Sequence, residues 1–278
     1  MSKITLVLIT VMCGVFWACS SNMDSPNPSQ PPSNSNETVL FQDDFNTFNA
    51  SVWNKETHEA GWTNQELQSY STKNVSVGKD GARTVLILTA ERKDGKIISG
   101  RVNSKGKKSI RYGKIEASIK LPKTANGLWP AFWMMGDNNK EWPACGEIDI
   151  MEMGDAEGIK SATTSIRVNT ALHFGPDVSR HEQLYYAGNV SKSLQDENYH
   201  VYTLVWDETR IQVLIDGILF NTFPIKDNPY FHDEFFILFN LAVGGSFTGI
   251  TDLSGITALK EGQKAFMYID WIRIIENK

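Results

Sequence analysis

The chain predicts an all-β fold, an antiparallel two-sheet β-sandwich, on three observations. Helical periodicity is missing nearly everywhere, short runs of β-branched and apolar residues are punctuated by Gly, Asn and Asp, and an Asp-Gly pair separates two apolar runs as a hairpin turn requires. With 278 residues, 41% of them hydrophobic, the chain is long enough for one large core, and sandwiches of this length commonly stay undivided. No internal repeat breaks it up.

In chain order, residues 1–19 read as an export signal: Lys3 precedes an apolar run from Ile4 to Ala18 that is too short for a comfortable membrane span. Phe16-Trp17-Ala18-Cys19 is similar to a lipoprotein signal, with Trp17 an unusual occupant, so lipidation at Cys19 and attachment to the cell envelope, at the outer membrane or cell surface, are expected. The alternative is cleavage near Ala18 and release to the periplasm or the medium. Residues 20–38 form a linker; Ser20 to Asn36 holds four prolines among Ser and Asn and has almost nothing to bury. The domain proper is 39–278.

Within it, Thr84 to Thr89 is mostly β-branched or apolar, and Lys114 to Leu121 alternates Lys, Glu, Ser and Lys against Ile, Ala, Ile and Leu, which predicts one wet and one buried face. Ile211 to Ile215, Asp216-Gly217 and Ile218 to Phe220 make the hairpin, because Asp-Gly supplies the positive φ angles of a type I′ turn. Phe235 to Leu241 and Met267 to Ile275 add two strands.

The informative strand is Glu147-Ile148-Asp149-Ile150-Met151-Glu152, with three carboxylates in six residues. Side chains alternate faces along a regular strand, so Glu147 and Asp149 share a face and Glu152 points to the other. One extra residue, accommodated as a β-bulge within Ile150-Met151, returns Glu152 to the face of the other two. Four effective strand steps span roughly 13 Å, and two glutamates leaning together across a concave sheet close that to about 5 Å, the separation of a retaining glycoside hydrolase. The bland alternative is an edge strand with acids on its wet face.

A formal charge of −5 argues against a nucleic-acid surface, which needs clustered Lys and Arg. The eight tryptophans suit sugars, because an indole can stack on the apolar face of a pyranose. Cys145 would stand alone once the signal is removed, so no internal disulfide forms; with no base nearby in sequence, it reads as a small buried filler and not as a nucleophile. No His, Cys or carboxylate cluster has the spacing of a catalytic metal site, and glycosyl transfer by two glutamates needs no cofactor.

The run Gly127-Leu128-Trp129-Pro130-Ala131-Phe132-Trp133-Met134-Met135-Gly136, then Trp142-Pro143-Ala144-Cys145-Gly146, leads into the acidic strand and resembles glycoside hydrolase family sixteen. Further matches are the segment Gly61 to Gln68, Ser99-Gly100-Arg101, Tyr112 to Ala117, His173-Phe174, Asn240 to Gly245 and Tyr268 to Trp271, in family order from about Asp43 onward. The laminarinase branch, endo-acting β-1,3-glucanases, is the most similar. The resemblance implies a jelly roll whose concave sheet forms the substrate cleft.

It also implies roles. Glu147 would be the nucleophile, Glu152 the acid/base with a pKa raised by neighbouring carboxylates, and Asp149 a partner that shapes the nucleophile's charge. Trp129 and Trp133, four apart across a proline, would share a face and floor the sugar sites, with core packing the rival for Trp133; Trp142 leans toward substrate, whereas Trp206 and Trp271 read as core. Asn64 and Arg101 match positions that hydrogen-bond glucose hydroxyls on the non-reducing side, His173 one beside the acid/base where it would hold Glu152 or a leaving sugar, and Asn240 one that reaches the cleft. A structural calcium on the convex side would map to Asp43, the Gly81 carbonyl and Asp270, although both acids are also ordinary turn or edge residues. The expected activity is retaining endo-hydrolysis of laminarin-like β-glucan by a monomer. The alternatives are mixed-linkage β-1,3-1,4-glucan, a marine galactan, or a glucan-binding protein without catalysis.

Overall fold

The computed structural model describes residues 37–276, which form two packed sheets joined by loops and a few short helical turns. The export signal, the expected lipidation at Cys19 and the linker up to residue 36 lie outside the described residues. The larger sheet has ten strands, in spatial order Ile218–Pro224, Arg210–Ile215, His200–Trp206, Gly113–Lys120, Lys264–Ile275, Arg83–Lys93, Lys96–Ser99 and Gln68–Tyr70, with Val39–Asp43 and Val75–Asp80 paired alongside. The smaller has eight: Glu182–Asn189, Arg167–Phe174, Glu147–Glu152, Leu128–Gly136, Phe235–Val243, Arg101–Asn103 and Asn54–Lys55, with Ser109–Ile110 also against Phe235–Val243. Pairing is antiparallel except between Gln68–Tyr70 and Lys96–Ser99. This is the sandwich that the strand pattern predicts.

The hairpin turn forms as its sequence requires, with φ of 50° at Asp216 and 77° at Gly217. Asp216 is also tied back to its sheet, accepting the Val201 N–H at 2.8 Å. Between the sheets the apolar faces close on each other: Phe132 pairs with Phe239 in register and their rings stack 4.8 Å apart, and Trp206 is buried among them; Trp271 is buried too, but outside this core, beneath the Arg273 guanidinium on its own strand. Each such aromatic contributes about 1.5–3 kcal/mol by leaving water.

One expectation is overturned. The polar face of Lys114 to Leu121 is not wet, because Gly113–Lys120 lies in the interior of a ten-stranded sheet where side chains of both neighbouring strands cover it. Glu116 is only 8% exposed and stands in register between Thr203 and Arg273, whose guanidinium Nε donates to it at 2.5 Å. Alternation along this strand predicts a solvent-exposed polar face, but the polar side chains form a buried ladder.

Candidate active site

The acidic strand is central in the smaller sheet. Gly146 precedes it at a φ of 84°, where a side chain would strike the Tyr230 carbonyl at 2.6 Å, so glycine is required for the turn into the strand. Toward one neighbour, Met135 pairs with Glu147, Trp133 with Asp149, Phe132 with Met151 and Ala131 with Glu152, skipping Ile150. Toward the other, His173 pairs with Glu147, Ala171 with Asp149 and Asn169 with Glu152, so three steps on the acidic strand match two on its partner. The register therefore carries one extra residue where the spacing requires it, and all three carboxylates face the same cleft.

That cleft, of about 590 Å³, is lined by all seven residues singled out for substrate: Asn64, Arg101, Trp129, Trp133, Trp142, His173 and Asn240. Two rows of side chains cross the sheet at right angles to the strands. Arg101, Asn240, Ala131, Glu152 and Asn169 make one row; Leu238, Trp133, Asp149 and Ala171 make the next. The alanines beside the acids leave room above the strand for a ligand.

The tryptophans differ in what they touch. Trp129 is 7% exposed, stacks on Phe247 at 4.5 Å and donates its Nε1–H to Glu152 Oε1 at 2.9 Å, so it holds the acid more than it floors a sugar site. Trp133 is half-buried and donates to Asn240 Oδ1 at 2.7 Å, while the Arg101 guanidinium lies 4.8 Å from its ring. Trp142 stands at the rim, 36% exposed, over His181. Arg101 is fixed from behind by Glu56, which accepts its Nε–H at 2.9 Å and also pairs with His58 at 2.7 Å. Asn64 donates weakly to Glu66 Oε1 at 3.4 Å.

His173 is not beside Glu152, as had been expected. Antiparallel register sets it opposite Glu147, and its Nε2 lies 3.2 Å from Asp149 Oδ2 and 3.9 Å from Glu147 Oε1. Its Nδ1 is 2.9 Å from Nε2 of His181, a cleft residue that sequence reasoning missed. Glu66 was missed as an individual residue too: it is 6% exposed and accepts from Gln68 and Tyr70 at 2.5 and 3.1 Å. His181 follows the turn Val178–Arg180 that leads back to the next strand and carries no local signal, and only the segment around Trp62 gave any for Glu66.

Electrostatics separates the acids. Burial first, then repulsion from Asp149 and Glu147, pushes Glu152 well above the ordinary carboxylate range, against the pull of the Trp129 hydrogen bond. Burial thus outranks the carboxylate repulsion expected from the sequence. Burial and then Asp149 raise Glu147 to about 8, opposed by His173 and the Trp142 indole. Burial likewise raises Asp149 to about 8. Glu147 keeps 16% of its side chain in solvent against 5% for Asp149, so as pH rises the first negative charge of the trio forms most easily on Glu147 while the proton stays on Glu152. Cys145, buried and raised to about 11 by burial first and Glu147 next, is inert as a thiol.

The residues mapped for calcium fit it only partly. Asp270 Oδ1 is buried with no hydrogen-bond partner, as a hard cation's ligand would be, but its other oxygen is held by Arg83. The Asp43 carboxylate accepts from the Phe45 N–H and the Trp53 Nε1–H, both at 2.9 Å. Gly81 lies in the turn that carries Arg83. Of these positions, Asp270 Oδ1 is the buried oxygen left without a hydrogen-bond partner, and no step below is routed through an ion. Among the described residues, ligand atoms of Glu147, Asp149 and His173 do come within 4.8 Å of one another, but these are two acids and the histidine of the cleft itself.

Residues 61–240 match the model for glycosyl hydrolases family 16. The chain is 66% identical to a Bacteroides ovatus mixed linkage glucan GH16 protein solved with a G4G4G3G product, over 85% of this chain and all of that one, with a TM-score of 0.84. It is 28% identical to the laminarinase catalytic domain of Thermotoga maritima over 87% and 99% of the two chains, with a TM-score of 0.72. Glucan endo-1,3-beta-glucosidase A1 of Niallia circulans is 32% identical over 86% of this chain, which spans 38% of that relative's length. With the match of its sequence, its sheets and its acidic strand together, the chain belongs to glycosyl hydrolases family 16.

Proposed function

We propose that the chain is a retaining endo-acting glycoside hydrolase whose substrate is a β-glucan containing β-1,3 linkages. Glu147 attacks the anomeric carbon while Glu152 passes its proton to the departing glycosidic oxygen; the C–O bond to the leaving sugar breaks and a glycosyl-Glu147 ester forms. Glu152, now ionised, takes a proton from water as that water attacks the anomeric carbon, releasing Glu147 and a product of unchanged configuration. Asp149 sits between the two and disfavours a second negative charge, which keeps the proton on Glu152. Arg101, Asn240 and Trp133 on one side of the acids, with Asn64 close by, would hold the glycone through directional donors and an aromatic face.

The observation that carries this reading is the bulge, which is needed only if all three acids must work on one face. Laminarin-like β-1,3-glucan is the leading substrate by the endo-1,3-glucosidase and laminarinase relatives. Mixed-linkage β-1,3-1,4-glucan is the second reading, favoured by the 66% identity with the mixed linkage glucan protein. Time-resolved product analysis on laminarin, mixed-linkage glucan and agar separates them, and proton NMR of the first product reads the anomer. Inverted product, or cleavage of galactans alone, would sink the proposal.

A further inference from the structure

We propose that Tyr185 is a sugar platform on the leaving-group side of the cleft, binding a glucosyl unit beyond the scissile bond. This rests on the glycosidase reading and adds a binding position to it. The row that contains Trp133 and Asp149 does not end at Ala171: Ala171 pairs in turn with Tyr185 on the edge strand Glu182–Asn189. Aromatic rings thus stand on both sides of the acids in one line, Trp133 one strand away toward Arg101 and Tyr185 two strands away in the opposite direction. At the usual strand spacing, that second step is about 10 Å from the acidic strand.

Tyr185 shares the cleft face, because directly paired residues point the same way and His173, two positions from Ala171, lines the cleft. The residue between it and Asp149 is an alanine, so a trough, not a wall, leads from the acids to the ring. The phenol donates to Asn169 Oδ1, and Asn169, which is fully buried, pairs with Glu152 and contacts its carbonyl at 3.5 Å. One end of the ring is therefore pinned beside the acid/base while 49% of the residue stays open. A pinned, exposed aromatic ring costs little further ordering when a pyranose stacks on it. The contrast with Tyr186 is direct, since that ring packs edge-on against Phe220 at 5.2 Å. Gln183, exposed and next on the same face, offers an amide to the hydroxyls of the same sugar.

The test compares a polymeric glucan with a dinitrophenyl oligoglucoside, whose leaving group places no sugar on this side. Tyr185→Ala and Tyr185→Leu should lower kcat/KM on the polymer about tenfold and leave the dinitrophenyl substrate within about twofold. Tyr185→Phe keeps the ring and should retain most polymer activity. Equal losses on both substrates, or undiminished polymer cleavage by both Ala and Leu variants, would overturn the platform. A wild type that cleaves neither substrate would instead fail the glycosidase reading, and the platform with it.

Discussion

Replacing Glu147 by Gln should stop turnover and, at alkaline pH, stabilise the fold. The folded chain raises this carboxyl from 4.5 to about 8, by burial and by Asp149. Between those two values the native state holds a proton that the unfolded chain has released, so stability is fully present below about 4.5 and is lost as pH rises through about 8. For a single site with these two constants, the loss between about pH 5 and about pH 9 is about 4 kcal/mol, an upper figure because neighbouring carboxylates share the titration. Gln is neutral and nearly isosteric, so Glu147→Gln removes that pH-dependent loss. At about 2–4 °C per kcal/mol for a domain of this size, the variant's Tm should exceed the wild type's by roughly 10 °C near pH 9 and by little near pH 5. Thermal melts of both proteins across that range, read by circular dichroism, give the comparison. Parallel curves, with the same offset at both ends, would refute the claim that ionising this acid in the folded chain is costly.

Two further outcomes follow from the same trio. Glu152→Ala should lower cleavage of a natural glucan by about 10²–10⁴ while sparing formation of the glycosyl intermediate from a dinitrophenyl glycoside, whose leaving group needs no proton; burst kinetics distinguish the two steps. Asp149→Asn removes the charge that raises both Glu147 and Glu152, so both ionise at lower pH and the whole kcat/KM bell should move to the acid side. With Glu147 and Asp149 ligand atoms within 4.8 Å and an effective dielectric near 20, their repulsion is about 3.5 kcal/mol, so the Glu147 limb moves by roughly two to three pH units, and a shift to higher pH would contradict the sign of the coupling.

How much of this was legible in the chain depends on the range of the contacts involved. Glu147, Asp149 and Glu152 announce themselves because acid and apolar residues alternate locally, and the odd spacing of Glu152 demands the bulge. The Asp216-Gly217 turn is equally local. The partner of His173 was not legible, since it depends on which residue of the neighbouring strand comes into register. Nor was burial of Glu116, because a polar side chain in an alternating strand is wet or covered according to the width of the sheet around it. Tyr185 carries no local mark at all: it is one of two adjacent tyrosines, and only pairing through Ala171 separates the one facing the cleft from the one packed on Phe220.

The bulge also explains how three acids that repel one another stay on one face. Ile150 and Met151 are adjacent, yet both are fully buried in the core between the sheets, which regular alternation would not allow. A slip back to regular pairing would lift one of these side chains out of the core and turn Glu152 toward the opposite layer. The first change gives up about 1.5–3 kcal/mol of burial, and the second leaves a carboxyl without its Trp129 donor in an apolar interior, a further loss of about 1–3 kcal/mol even if it stays protonated. The two apolar neighbours therefore act as a latch, and the carboxylates are held in line by the packing beneath them, against their own electrostatic preference.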